Sequence, residues 1–187
     1  MKSNPNIGFC YSGFKFLNEA NGEIKSAYNN KKLKSGYITA NLLKNYNVGL
    51  LTLMLNKNIM DSNNIKFNDR FNIIGDLDLV LRLSKVSLGV PIRLDLAICR
   101  KHNDNLSNRT DLYVHERIIW HEEMIFLKLF KKKELIPFNE ETKYIDFRNE
   151  INNFKFLKAI KKLIFLRGLF LIKALILFLI KLIKYLK

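Results

Sequence analysis

Ile7 to Leu17 is rich in aromatic and aliphatic residues and runs into the turn cluster Asn18-Glu19-Ala20-Asn21-Gly22. Glu23 to Tyr28 can return as a second strand, so the pattern predicts a hairpin. Ser35-Gly36 punctuates the chain before Ile38 to Tyr46, where Ile38, Leu42, Leu43 and Tyr46 fall near helical spacing. Val48 to Leu55 is a nearly unbroken apolar run, which predicts a buried strand. Ile59 to Asn64 closes on an Asn-Asn turn that leads to Phe67, Phe71 and the acidic turn Gly75-Asp76-Leu77-Asp78.

The segment after that turn fits two templates. Leu77, Leu79, Leu81 and Leu83 alternate with Asp78, Val80, Arg82 and Ser84, as in a strand. Leu77, Val80, Leu81 and Ser84 also satisfy the helical repeat, and Leu and Arg are better helix formers than strand formers. Asp76 is placed to act as an N-cap, so a helix is expected here. Val90 to Arg100 reads as extended, Asn103 to Asn108 as a polar loop, and Asp111 to Lys132 as a long helix. Residues 133–153 are charged and include Pro137, the composition of a linker. The expected organisation is therefore a domain over residues 1–132, a linker over 133–153 and a tail over 154–187.

Composition refines this picture. With 187 residues and 48% hydrophobic content the chain can bury a core. The formal charge of +15 would ordinarily suggest nucleic acid or an anionic membrane. From Ile151 onward there are nine basic residues and no acid, which leaves +6 on residues 1–150. The tail lysines punctuate Leu, Ile and Phe rather than polar groups or stacking aromatics on a water-facing surface, which argues against a nucleic-acid partner. Cys10 and Cys99 are far apart in sequence and form no metal-binding spacing, and Met1-Lys2-Ser3-Asn4-Pro5-Asn6 has no apolar run behind its lysine. A reducing, cytoplasmic setting is expected.

Chemistry concentrates between Phe67 and Ser107. Two carboxylates at a chain reversal and an Arg/His pair after a strand can supply a base, a metal ligand and phosphate contacts. The remaining histidines invite less: His115 and His121 are six apart, on opposite sides of a helix, and His121-Glu122-Glu123-Met124-Ile125 lacks the second His of a zinc protease motif.

Taken in order, Asn4-Pro5-Asn6-Ile7-Gly8-Phe9-Cys10-Tyr11-Ser12, Gly49-Leu50-Leu51-Thr52, Phe67-Asn68-Asp69-Arg70-Phe71, Gly75-Asp76-Leu77-Asp78-Leu79 with Arg82-Leu83, and Arg100-Lys101-His102 with Asn105-Leu106-Ser107 resemble the C-terminal half of a family 2 glycosyltransferase. The resemblance covers roughly residues 4–110 and rests on order and spacing. It implies an α/β chain: a partial nucleotide-diphospho-sugar transferase (GT-A-like) α/β/α sandwich without the N-terminal nucleotide-binding half, followed by C-terminal amphipathic helices. The family's metal-binding Asp-X-Asp and nucleotide-binding strand would precede the match, and neither is in this sequence.

By the same resemblance Asp76 is the general base that deprotonates an acceptor hydroxyl, and Asp78 is a structural or acceptor-side residue. Arg100 and His102 contact diphosphate or complete a divalent metal site, Mg or Mn, in the whole enzyme. The family usually carries Glu before the base, where Gly75 stands here. The implied partners are a nucleotide-sugar donor, a glycan or lipid-linked acceptor and the cell membrane surface, the chain being either a truncated product or one part of a split enzyme whose donor-binding half is a separate polypeptide. Asp76 as a helix cap alone, in a non-catalytic membrane-associated α/β binding module, is the alternative.

The tail supplies the membrane expectation. At about 100° per residue, Lys155, Lys158, Lys162, Lys173, Lys184 and Lys187 share one side of a helix with Leu, Ile and Phe around the rest. The run from Gly168 to Ile180 contains Lys173 and is short of the roughly 20 apolar residues that span a bilayer. A basic amphipathic helix peripheral on the inner face of the cell membrane is expected, against the alternatives of packing on the domain or a partner, or of spanning.

Overall fold

The apolar run at Ile7 forms the longest-paired element of the chain, strand β1 (Ile7–Asn18), and the predicted hairpin is present with β2 (Ile24–Ser26) returning antiparallel. The computed structural model describes residues 4–102 and 105–186. The chain divides between Asn108 and Arg109 into two compact units, earlier than the boundary composition suggests at residue 132. The class is mixed α/β with a mixed sheet.

In the first unit β1 is central. It pairs antiparallel with β2 and with β3 (Met54–Leu55), and parallel with β4 (Leu88–Lys101), from Ile7 opposite Leu88 to Asn18 opposite Lys101. The buried strand expected over Val48 to Leu55 is therefore two residues long. Leu50–Thr52 is instead a 3-10 turn. Thr52 explains the difference: its Oγ1 takes the N–H of Ser12 at 3.3 Å and donates to the Ser12 carbonyl at 3.1 Å, so a side chain serves β1 where a backbone ladder would. With that edge satisfied, Leu50 and Leu51 remain exposed.

Three helices complete the unit, α1 (Thr39–Lys44), α2 (Lys57–Ser62) and α3 (Gly75–Val86). Helix wins over alternation in α3 because Leu77, Leu79, Val80, Leu81 and Leu83 are all buried. A helix covered nearly all round satisfies both periodicities, and helix propensity decides. Its cap position is Ile74, whose carbonyl accepts the Asp78 N–H at 2.9 Å. Asp76 is thus inside the first turn and is not the N-cap. At the other end Ser87 and Leu83 lie against Gly8, where a Cβ would come within 1.9 Å of Ser87 Oγ. Glycine is what allows α3 to close onto β1 there.

The second unit is helical, with α4 (Thr110–Phe126), α5 (Lys132–Asn152), α6 (Phe156–Leu163) and α7 (Gly168–Leu186). α4 stops short of the expected Lys132 because Lys128 turns left-handed, at φ 55°, and folds Phe130 onto Trp120. The stretch expected as a linker is α5. Pro137 lies within it and does not end it: Leu135 and Phe138 are buried, with the Phe138 ring 4.8 Å from that of Trp120. Its charges have buried partners. Arg117 of α4 is 1% exposed and donates to Glu141 Oε2 at 2.8 Å, Thr142 Oγ1 at 2.8 Å and the Phe138 carbonyl at 3.2 Å.

The tail is two helices, parted at Gly168 with φ 52°. Phe156 meets Phe178 and Tyr185, so the start of α6 lies beside the end of α7 and the two form an antiparallel hairpin. Ala159, Leu166 and Ala174 pack on Phe147 and Ile151 of α5. Among the described residues no helix is long and apolar enough to cross a membrane.

Candidate active site

The first turn of α3 gives its two carboxylates different surroundings. Asp78 has no exposed surface. It takes Arg82 one turn later, Nε to Oδ1 at 2.9 Å and Nη2 to Oδ2, and Arg82 Nη2 also donates to the Lys66 carbonyl at 2.7 Å. This i,i+4 pair ties the helix to the loop before it, a structural role. Asp76, in the same turn, is half-buried. Its Oδ1 accepts the Leu77 N–H at 2.8 Å, and the Tyr46 side chain interacts with it. Burial pushes its carboxyl above the usual range, outweighing the donors from Leu77 and Tyr46 that pull it down. Neither of those donors is a cation. Beside it, a Cβ added at Gly75 would meet nothing within 4 Å.

Arg100 and His102 lie at the far end of the β1–β4 ribbon. A cleft of about 630 Å³ opens there, lined by Phe16, Asn18, Glu19, Lys101, His102 and Asn108 among others. Lys101 Nζ sits 4.0 Å from the centre of the Phe16 ring, and Arg100 pairs with Glu19 at 3.4 Å on the surface. His102 is held by its neighbours. Its N–H donates to Asn105 Oδ1 at 2.6 Å, its carbonyl accepts from Asn108 Nδ2 at 3.1 Å, and its Nε2 faces Asn105 Nδ2 at 3.2 Å.

Asp76 is not among the residues lining that cleft. Helix α3 ends one residue before β4 begins, so it runs back along the sheet and brings Asp76 toward the carboxyl end of β1 and β4. From Leu83, beside Gly8, to Asp76 is about 10 Å of helix. From Gly8 to Asn18, opposite Lys101, is about 33 Å of strand. The ribbon thus carries His102 roughly 20 Å further along the sheet than Asp76. The two do not share a cleft, and Asp76 lies well short of the His102 end of the ribbon.

The expected divalent metal finds no donor set here: among the described residues no three of His, Cys, Asp and Glu are grouped to hold an ion. His102 offers one nitrogen at most.

Other placements follow from the fold. Lys155, Lys158, Lys173 and Lys184 are exposed, whereas Lys162 is drawn into ion pairs with Asp146 and Glu150 of α5. Lys187 lies outside the described residues. His115 is exposed, and burial lowers the pKa of the half-buried His121. Sequence reading missed Asp95, which accepts Asn30 Nδ2 at 2.9 Å and Ser26 Oγ at 2.7 Å and is thereby held below the usual carboxylate range. It also missed Tyr46 as a partner of Asp76. Asp95 gave no signal beyond a polar position between Leu94 and Leu96; Tyr46 showed only helical spacing. Comparison of the chain with family models, with curated proteins and with solved structures returned no match.

Proposed function

We propose that the chain carries the acceptor-side half of an inverting, family 2-like glycosyltransferase, its first unit being a partial GT-A-like sandwich. Asp76 takes the proton of an acceptor hydroxyl, the freed oxygen bonds to the anomeric carbon, and the bond from that carbon to the nucleoside diphosphate breaks, the electron pair leaving with the diphosphate. One observation carries the reading: of the two carboxylates in this turn, Asp78 is committed to Arg82, while Asp76 is half-buried, without a cation among its hydrogen-bond donors, and raised in pKa. A carboxylate of raised pKa is a better match to proton abstraction near neutral pH. The donor sugar nucleotide and any Mg or Mn would be bound by a partner half that these residues do not include. Support for such a partner comes from β4, which among the described residues pairs along its length with β1 alone and turns Ile92, Leu94, Leu96 and Ile98 to solvent. The acceptor class proposed is a lipid-linked or surface glycan at the inner face of the cell membrane.

A non-catalytic α/β binding module is the second reading, favoured by the separation of Asp76 from the His102 cleft. Sugar transfer decides between them. Joined to a donor-binding half and supplied with nucleotide sugar and a divalent metal, the chain is expected to transfer sugar, and Asp76→Asn to lower turnover by about 10² or more with the fold kept. Near-normal turnover in the Asp76→Asn protein would leave Asp76 a helix residue only.

A further inference from the structure

We propose that the outward face of the α6–α7 hairpin is an in-plane docking surface for an anionic lipid bilayer. The proposal stands on the second unit alone and does not depend on sugar transfer. The hairpin has one face already satisfied: Ala159, Leu166 and Ala174 are buried on α5, with Phe170, Leu177 and Phe178 packed beside them. The opposite face is also apolar. Leu157 is 80% exposed, Ile164 76% and Leu169 64%, and Ile172, Ile176 and Ile183 continue the surface along α7. At about 100° per residue these α7 positions fall within roughly 40° of the line opposite Ala174. A helix apolar on two opposite faces is stable in water only if something covers the second one.

Charge selects the cover. Lys158, Lys161, Lys173 and Lys184 are exposed around this face, and no acid follows Glu150 in the sequence. Lysines flanking an apolar strip bury their stems and extend their ammonium groups to anionic headgroups. A second copy would bring two cationic rims together, and a nucleic acid has nothing to offer Leu157 or Ile176. The hairpin lies in the plane, since neither helix can cross a membrane. The folded structure also redistributes the lysine stripe: Lys162 belongs to Asp146 and Glu150, so it contributes to holding α6 on α5 and not to lipid binding.

The test uses the full chain carrying Ile172→Trp, with phosphatidylcholine vesicles, with and without phosphatidylglycerol, and with brominated acyl chains. Native Trp120 is fully buried and serves as the internal control. Expected are sedimentation with the anionic vesicles, at least about tenfold weaker binding to neutral vesicles or at high salt, and bromine quenching of the introduced indole only. Ile172→Glu with Ile176→Glu should lose binding while far-UV circular dichroism is kept, because both side chains are exposed in the fold. Lys173→Glu with Lys184→Glu should lower binding to anionic vesicles by about tenfold or more and leave neutral vesicles unaffected. Binding indifferent to lipid charge and to the glutamate variants would overturn the proposal. So would self-association that buries position 172 without vesicle binding, which would assign the face to a second copy.

Discussion

Asp76 and Asp78 stand two residues apart on α3, and replacing each with asparagine should move stability in different directions. Asparagine keeps the side-chain shape and removes the charge. At Asp78, which has no exposed surface, the carboxylate receives both Nε and Nη2 of Arg82, whose side chain is only 18% exposed. Removing one partner of a buried pair leaves the other desolvated and costs about 3–5 kcal/mol. Arg82 keeps its bond to the Lys66 carbonyl and some access to water, so the lower end, about 3 kcal/mol, is expected for Asp78→Asn. Asp76→Asn removes a charge that burial disfavours, at the expense of a helix N-terminal interaction of about 0.3–1 kcal/mol. Stability should be unchanged or higher.

The pH dependence has a definite sign. Because the folded pKa of Asp76 is raised above its ordinary 3.8, the folded state binds the proton more tightly. The penalty of ionised Asp76 is absent below the unfolded pKa, grows as pH rises and is complete above the folded one. Asp76→Asn should therefore gain stability relative to the parent as pH rises through that window. Hydrogen exchange of the α3 peptides reads both effects: Asp78→Asn should exchange about 10²-fold faster, from about 3 kcal/mol at about 1.4 per decade, and Asp76→Asn no faster than the parent. Asp76→Asn proving the more damaging of the two would refute the assignment of structure to Asp78 and chemistry to Asp76.

In the second unit, Arg117→Ala strips Glu141, Thr142 and the Phe138 carbonyl of their shared donor and should cost about 3–5 kcal/mol, measured by urea unfolding with Trp120 fluorescence as the reporter. In the first, Gly8→Ala forces a Cβ to within 1.9 Å of Ser87 Oγ and 2.5 Å of Ser87 Cβ, an overpacking cost of about 1–3 kcal/mol. Thermal unfolding of the double variants should show Ser87→Gly recovering much of that loss and Ser87→Ala little, since alanine keeps the offending Cβ.

Local chemistry was enough to place several elements from the sequence. The apolar run from Ile7, the turn cluster at Asn18 and the return strand were readable because hairpin partners are close in sequence and turn residues carry their own conformational preference. The helix after Gly75 was readable from local propensity as well. Asp78 and Arg82 have the spacing of a helical ion pair, but only the burial of α3 turned that spacing into a commitment that separates the two carboxylates. Other features depended on partners distant in the chain. β4 lies parallel to β1, some eighty residues earlier, and Thr52 replaced a strand by hydrogen-bonding Ser12 across forty residues. Residues 133–153 looked like a linker because their acids read as solvated, until Arg117 of α4 and Lys162 of α6 came to meet them. The lysine stripe of the tail came from helical spacing alone; packing on α5 moved Lys162 inward and left an apolar face outward. Periodicity shows which faces of an element are apolar, but whether such a face meets protein or another surface is settled by packing between elements, which no single stretch of sequence contains.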